Sequence, residues 1–92
     1  MDKISILLAD DHTLVRAGVR KILEGQAGVT VVAEVADGDA ALEQVRALEI
    51  DVLVLDLSMP GRDGFDVLRQ TKIWKPKLKV LVLTMHADPE YV

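Results

Sequence analysis

The 92-residue sequence predicts an α/β fold, a parallel sheet covered by helices on both faces. Two observations carry that expectation. Four short apolar runs lack polar alternation, as strands buried on both sides do. Between them lie amphipathic stretches of helical length, so strand and helix alternate, and parallel neighbours need such right-handed crossovers.

The first run, Ile4-Ser5-Ile6-Leu7-Leu8-Ala9, is nearly all apolar and stops at Asp10-Asp11. From Thr13 to Glu24 the residues Val15, Gly18, Val19, Ile22 and Leu23 recur at helical spacing, an inward stripe that Gly25 and Gly28 end. Val29 to Glu34 is rich in β-branched residues and reads as a second strand. Asp37 or Asp39 caps a second helix with Ala41, Leu42, Val45 and Leu48 inward.

Val52-Leu53-Val54-Leu55 is the third strand and ends on Asp56. A loop, Leu57-Ser58-Met59-Pro60-Gly61-Arg62, precedes Asp63, which caps a third helix reaching about Ile73 with Phe65 and Leu68 inward. Pro76 closes that unit, and Val80-Leu81-Val82-Leu83 forms a fourth buried strand ending on Thr84. Asp88-Pro89-Glu90 has the capping acid, the proline and the first-turn acid of a fourth helix start.

Composition limits the partners. Half the residues are hydrophobic, only 3% are aromatic, and the net charge is −4, so an aliphatic core and an acidic surface are expected. The basic residues cluster only at Arg69, Lys72, Lys75, Lys77 and Lys79, which is no nucleic-acid face, so direct DNA contact by this chain is not expected. Without cysteine, disulfides and thiolate metal sites are excluded. No run nears the ~18 apolar residues of a membrane span. Met1-Asp2-Lys3 leads straight into a strand pattern without a signal-peptide flank, so the expected location is the cytoplasm.

The chemistry gathers where the strands end. Parallel strands share one carboxyl edge, where open α/β sheets bind ligands. Here that edge carries Asp10 and Asp11, Asp56, and the hydroxyl of Thr84. Any one Asp after a strand serves as well as a helix cap or turn residue, but three at one rim form a cluster. Clustered carboxylates repel, and Mg²⁺ relieves that strain using one or two carboxylates plus waters and phosphate oxygens. A carboxylate beside a bound cation is an oxygen nucleophile for an acyl phosphate, and phosphoryl transfer needs mainly positioning and charge neutralisation.

The strings Ile6-Leu7-Leu8-Ala9-Asp10-Asp11-His12, Leu55-Asp56-Leu57-Ser58-Met59-Pro60-Gly61-Arg62-Asp63-Gly64 and Val82-Leu83-Thr84-Met85-His86 closely resemble bacterial response-regulator receiver domains. Leu14-Val15-Arg16-Ala17-Gly18 and Met85-His86 resemble the NarL/LuxR-type transcriptional regulators among them. The resemblance spans the chain, read as one receiver domain over residues 1–92 with no output domain. It implies a flavodoxin-like sheet of order 2-1-3-4-5, of which four strands and about three helices are expected here. The family's fourth helix, fifth strand and fifth helix would lie beyond Val92, along with a lysine and an aromatic switch residue that no residue of this chain supplies.

By the same resemblance Asp56 is the phosphoacceptor for a sensor histidine kinase. Asp11, Asp56 and the backbone carbonyl of Ser58 would hold Mg²⁺, Asp10 would support the ion or its waters, and Thr84 would be the switch hydroxyl. The chain is then a phosphoacceptor and not an enzyme, acting on a DNA-binding domain outside it. A competing reading is a phosphorylation-independent dimerisation or binding module, self-associating through an exposed fourth-strand edge or swapped elements. A haloacid-dehalogenase-like phosphatase would need a second Asp where Ser58 stands.

His12 reads as a polar helix-opening residue, since Mg²⁺ prefers oxygen donors, and His86 as a loop residue. Met59, Pro60 and Gly61 are expected to shape the loop after Asp56. Trp74 is expected to be partly exposed, and Thr71 stands where relatives usually carry an aliphatic residue.

Overall fold

The structure is a computed structural model that describes residues 3–59 and 61–83. The strands are β1 (Ile4–Ala9), β2 (Val29–Val35), β3 (Val52–Asp56) and β4 (Lys79–Leu83). They alternate with α1 (Thr13–Glu24), α2 (Gly38–Ala47) and α3 (Gly64–Trp74). All neighbouring strands pair in parallel in the order β2-β1-β3-β4, the order expected of a flavodoxin-like sheet. Thr84 and the helix start expected at Asp88 lie outside the described residues.

The order fixes which face each helix covers. The chain steps outward from β1 to β2, then returns past β1 to β3 and β4. Right-handed crossovers in opposite directions place α1 on one face and α2 with α3 on the other. Two apolar clusters follow. Ile6, Leu8, Val31 and Val54 pack with Val19 and Leu23 of α1. Leu7, Ala9, Leu53 and Leu55 pack with Ala41, Leu42 and Val45 of α2 and Val67 of α3. Strand residues alternate between the clusters, so a run apolar throughout fills two cores, each fully buried Leu contributing roughly 1.5–3 kcal/mol.

One irregularity sits in β2. Ile6 pairs with Val31 but Leu7 with Ala33, leaving Val32 as an extra residue that is 44% exposed. Such a bulge re-aims the residues beyond it. Val29 and Val31 face the α1 side, whereas Ala33 and Val35 face α2 and α3. Glu34 therefore turns toward α1, where Arg16 and Arg20 meet it.

Five burial expectations are corrected. On α1, Val15, Val19 and Leu23 are half-buried as expected, but Ile22 is 68% exposed and Gly18 is exposed. The helix rolls so that Val19 and Leu23 join the apolar cluster on the sheet. On α3 the inward residues are Gly64, Val67 and Thr71, while Phe65 is 59% exposed. Leu68 packs against the core as expected. Asp63 caps through Phe65 N–H, and the turn it sets points position 65 outward. In β4, Leu81 and Val82 are exposed, because β4 is an edge strand among the described residues.

The caps agree with the sequence at two helices. Asp37, not Asp39, caps α2 by accepting from Ala40 N–H at 2.8 Å. Asp39 instead lies in the first turn and receives Arg62 Nε at 2.9 Å. Trp74 ends α3 partly exposed, with the Arg46 guanidinium 5.1 Å above its ring.

Candidate functional site

The register of the central strands builds the site. Ala9 pairs with Leu55, so the next residues along both strands, Asp10 and Asp56, emerge side by side at the carboxyl edge. Both are fully buried, and Asp11 is 29% exposed at the side chain. Asp10, Asp11, His12 and Asp56 each offer a donor atom, and those atoms lie within 4.8 Å of one another.

Local bonds orient the carboxylates. Asp10 Oδ1 accepts the His12 backbone N–H at 2.8 Å, an Asx-type turn that leads into α1. Asp56 Oδ1 accepts the Ser58 N–H at 2.9 Å in the same way. One oxygen of each acid is thus held by the chain that follows it. Asp10 Oδ2, Asp11 Oδ1 and Asp56 Oδ2 are buried without a hydrogen-bond partner. Three orphaned anionic oxygens in one pocket are costly, and they fit the donor set of a divalent cation.

His12 answers part of that charge. Its Nδ1 lies 3.1 Å from Asp10 Oδ1, 3.1 Å from Asp11 Oδ1 and 3.3 Å from Asp56 Oδ2. The hydrogen bond to Asp10 raises the imidazole pKa above its ordinary value, helped by the charge of Asp11 and opposed by desolvation. His12 is the N-cap residue of α1, as the sequence suggested, yet its side chain makes no cap bond and turns to the acids instead. Its place directly after Asp10-Asp11 is the signal that could have added it to the site.

A second layer came with no sequence signal. Arg16 Nη1 donates to the Asp10 carbonyl at 2.8 Å, and its Nε to Glu34 Oε1 at 3.1 Å. Arg20 bonds both Glu24 and Glu34, and these acids raise its pKa further, Glu24 first. Arg16 and Glu34 are 18 positions apart and meet only because the β2 bulge turns Glu34 toward α1.

The loop after Asp56 is clasped by two glycines. A Cβ on Gly64 would lie 2.5 Å from Leu57 Cα, and one on Gly38 would lie 2.5 Å from the Arg62 carbonyl oxygen. The backbone on either side of the loop thus packs directly on helix starts. Gly61 has φ 79°, the left-handed turn expected of it, and Met59 is buried in the larger core cluster.

Of the sequence-derived candidates, Asp10, Asp11 and Asp56 come together. Ser58 enters through its N–H. Thr84 is outside the described residues. Lys72 and Lys75 spend their ammonium groups on the carbonyls of Leu78 and Leu48, near the start of β4 and the end of α2, away from the acids.

The response regulator receiver domain family matches residues 6–92. Response regulator UvrY of Escherichia coli (strain K12) is 41% identical over 85 residues, 92% of this chain and 39% of UvrY. The chain therefore spans about two fifths of the length of that relative. The signal receiver domain of the response regulator NarL from Mycobacterium tuberculosis superposes with a TM-score of 0.88 at 38% identity, over 100% of this chain and 74% of that one. RcsB from Salmonella enterica serovar Typhimurium, bound to a promoter in the presence of phosphomimetic BeF3-, superposes with a TM-score of 0.85 at 39% identity, over 92% of this chain and 43% of that one. On this match, and on the parallel sheet with its acidic carboxyl edge, the chain belongs to the receiver domains of two-component response regulators, of the NarL/LuxR type.

Proposed function

We propose that Asp56 accepts a phosphoryl group from a sensor histidine kinase, with Mg²⁺ held between Asp10, Asp11, Asp56 and the backbone carbonyl of Ser58. The observation that carries this reading is the set of three orphaned oxygens on Asp10, Asp11 and Asp56 in one pocket. The cation would neutralise charge on the acids and on the phosphoryl oxygens. Asp56 supplies the nucleophile: a carboxylate oxygen bonds to phosphorus as the donor's nitrogen–phosphorus bond breaks, leaving an acyl phosphate. Ser58 N–H orients that carboxylate, and Asp10 and Asp11 hold the pocket's charge. The chain is an acceptor, not a turnover enzyme.

Residues 1–92 act as one receiver domain, in the cytoplasm. Among the described residues no helix is long and apolar enough to cross a membrane. Added charge of roughly −1.5 to −2 at Asp56 would be sensed by Thr84, the hydroxyl next after β4. The output is a DNA-binding transcriptional domain outside this chain, a reading supported by the RcsB–promoter structure. Self-association through β4 is a second reading, favoured by the exposure of Leu81 (54%) and Val82 (36%) on a strand that lies at the sheet edge among the described residues. Light scattering across a concentration series reads it directly, and a constant monomer mass removes it.

Incubation with acetyl phosphate and Mg²⁺, followed by intact-mass measurement, tests the main reading. The expected outcome is one acyl-phosphate adduct, absent in Asp56→Asn and absent with EDTA. No adduct on wild type, or the same adduct on Asp56→Asn, would show that Asp56 is not the acceptor.

A further inference from the structure

We propose that His12 is a further protein donor to the cation at Asp10, Asp11 and Asp56, through Nδ1, and that it tilts the site from Mg²⁺ toward a first-row transition ion such as Mn²⁺. The inference rests on the reading that this cluster holds a divalent ion.

The geometry points there first. Right-angled bonds of about 2.0–2.1 Å place neighbouring donors of one octahedral ion about 3 Å apart. His12 Nδ1 stands 3.1, 3.1 and 3.3 Å from one oxygen each of Asp10, Asp11 and Asp56. A hydrogen bond has the same length, so distance alone does not choose between the two roles.

Counting donors does. An imidazole nitrogen carries at most one hydrogen, and of its three close acids only Asp10 Oδ1 is in hydrogen-bonding geometry with it. Asp11 Oδ1 and Asp56 Oδ2 remain without a partner although the same nitrogen is close by. One N–H cannot serve three carboxylates, whereas one cation bonded to the ring nitrogen and to all three acids does.

The side chain is also free for this task. An N-cap residue ordinarily spends its side chain on the first turn of its helix, but that of His12 makes no such bond. The backbone N–H of His12 is fixed to Asp10 Oδ1 at 2.8 Å, which keeps the ring and the carboxylate in one turn. The ring is 46% exposed and Asp11 29%, so an ion reaches the pocket from their side.

Donor chemistry sets the preference. Mg²⁺ takes hard oxygen ligands and keeps several waters. One imidazole among the carboxylates favours first-row ions over Mg²⁺, with affinities that rise from Mn²⁺ toward Cu²⁺. Without His12 the pocket would offer only oxygens.

Pulsed EPR of Mn²⁺ bound to the protein reads the nitrogen directly. The expected result is ¹⁴N coupling from a ligated imidazole in wild type and in His86→Gln, lost in His12→Gln while Mn²⁺ stays bound. Calorimetry of the same proteins should show the Mn²⁺-over-Mg²⁺ preference shrinking in His12→Gln only. Mn²⁺ bound without imidazole coupling, or coupling that survives in His12→Gln, would overturn this inference and leave a site of oxygens alone. Failure of wild type to bind either ion would instead remove the cation site proposed above.

Discussion

The guanidinium of Arg16 donates to the main-chain carbonyl of Asp10 at 2.8 Å while its Nε is held by Glu34. The acid pair is thereby tied to a helix turn and to β2, so its backbone is fixed from outside the pocket. Outer-layer partners of metal ligands are worth about 10–100-fold in affinity. Arg16→Met is expected to weaken Mg²⁺ binding by about tenfold, and Glu34→Gln to do so by less, since Arg16 would keep its bond to Asp10. Calorimetric Mg²⁺ titration of folded variants checks this, and unchanged affinity in Arg16→Met would deny the tie any role.

Asp56→Asn is expected to separate stability from metal response. In the metal-free protein it removes one of two fully buried carboxylates from a crowded pocket and should stabilise the fold by about 1–2 kcal/mol. With Mg²⁺ the order reverses in part, because only wild type gains the full stabilisation of a ligand that binds the native state. Urea melts with EDTA and with Mg²⁺ give both quantities.

The two glycines that clasp the loop after Asp56 leave no room for a methyl group. Ala at Gly64 meets the Leu57 backbone at 2.5 Å, and Ala at Gly38 meets the Arg62 carbonyl at 2.5 Å. Neither neighbour is the end of a flexible side chain. Each substitution is expected to cost about 2 kcal/mol, despite the better helix propensity of Ala. Thermal melts should show lower midpoints for both.

Thr71 is fully buried on α3, and its hydroxyl has no partner. Thr71→Val keeps the shape and removes the unsatisfied group, so a gain of about 1 kcal/mol is expected. A urea midpoint equal to or below that of wild type would mean that the hydroxyl is satisfied in solution.

Much was legible in order along the chain. Strands apolar throughout meant a sheet covered on both faces, the alternation with helices gave parallel strands and their shared edge, and the strand order followed from the family resemblance. The aspartates at strand ends then located the site, because a parallel sheet brings such ends together whatever the side-chain details. Thr84 was placed on the same rim by sequence alone and lies outside the described residues.

What the sequence by itself determined was the sheet, its helices and the meeting of Asp10, Asp11 and Asp56 at one rim, because apolar runs alternating with helices imply parallel strands whose carboxyl ends share an edge. The tertiary structure decided the rest. Phe65 reads as core by its chemistry, yet the turn capped by Asp63 aims it outward. Glu34 would face away from α1 in an unbroken strand, but the extra residue Val32 reverses its direction and gives Arg16 a partner. The ring of His12 chose the acids over the helix cap. Each outcome depends on the direction of one side chain, and that is set by a bulge, a cap or a local charge, none of which leaves a period in the sequence.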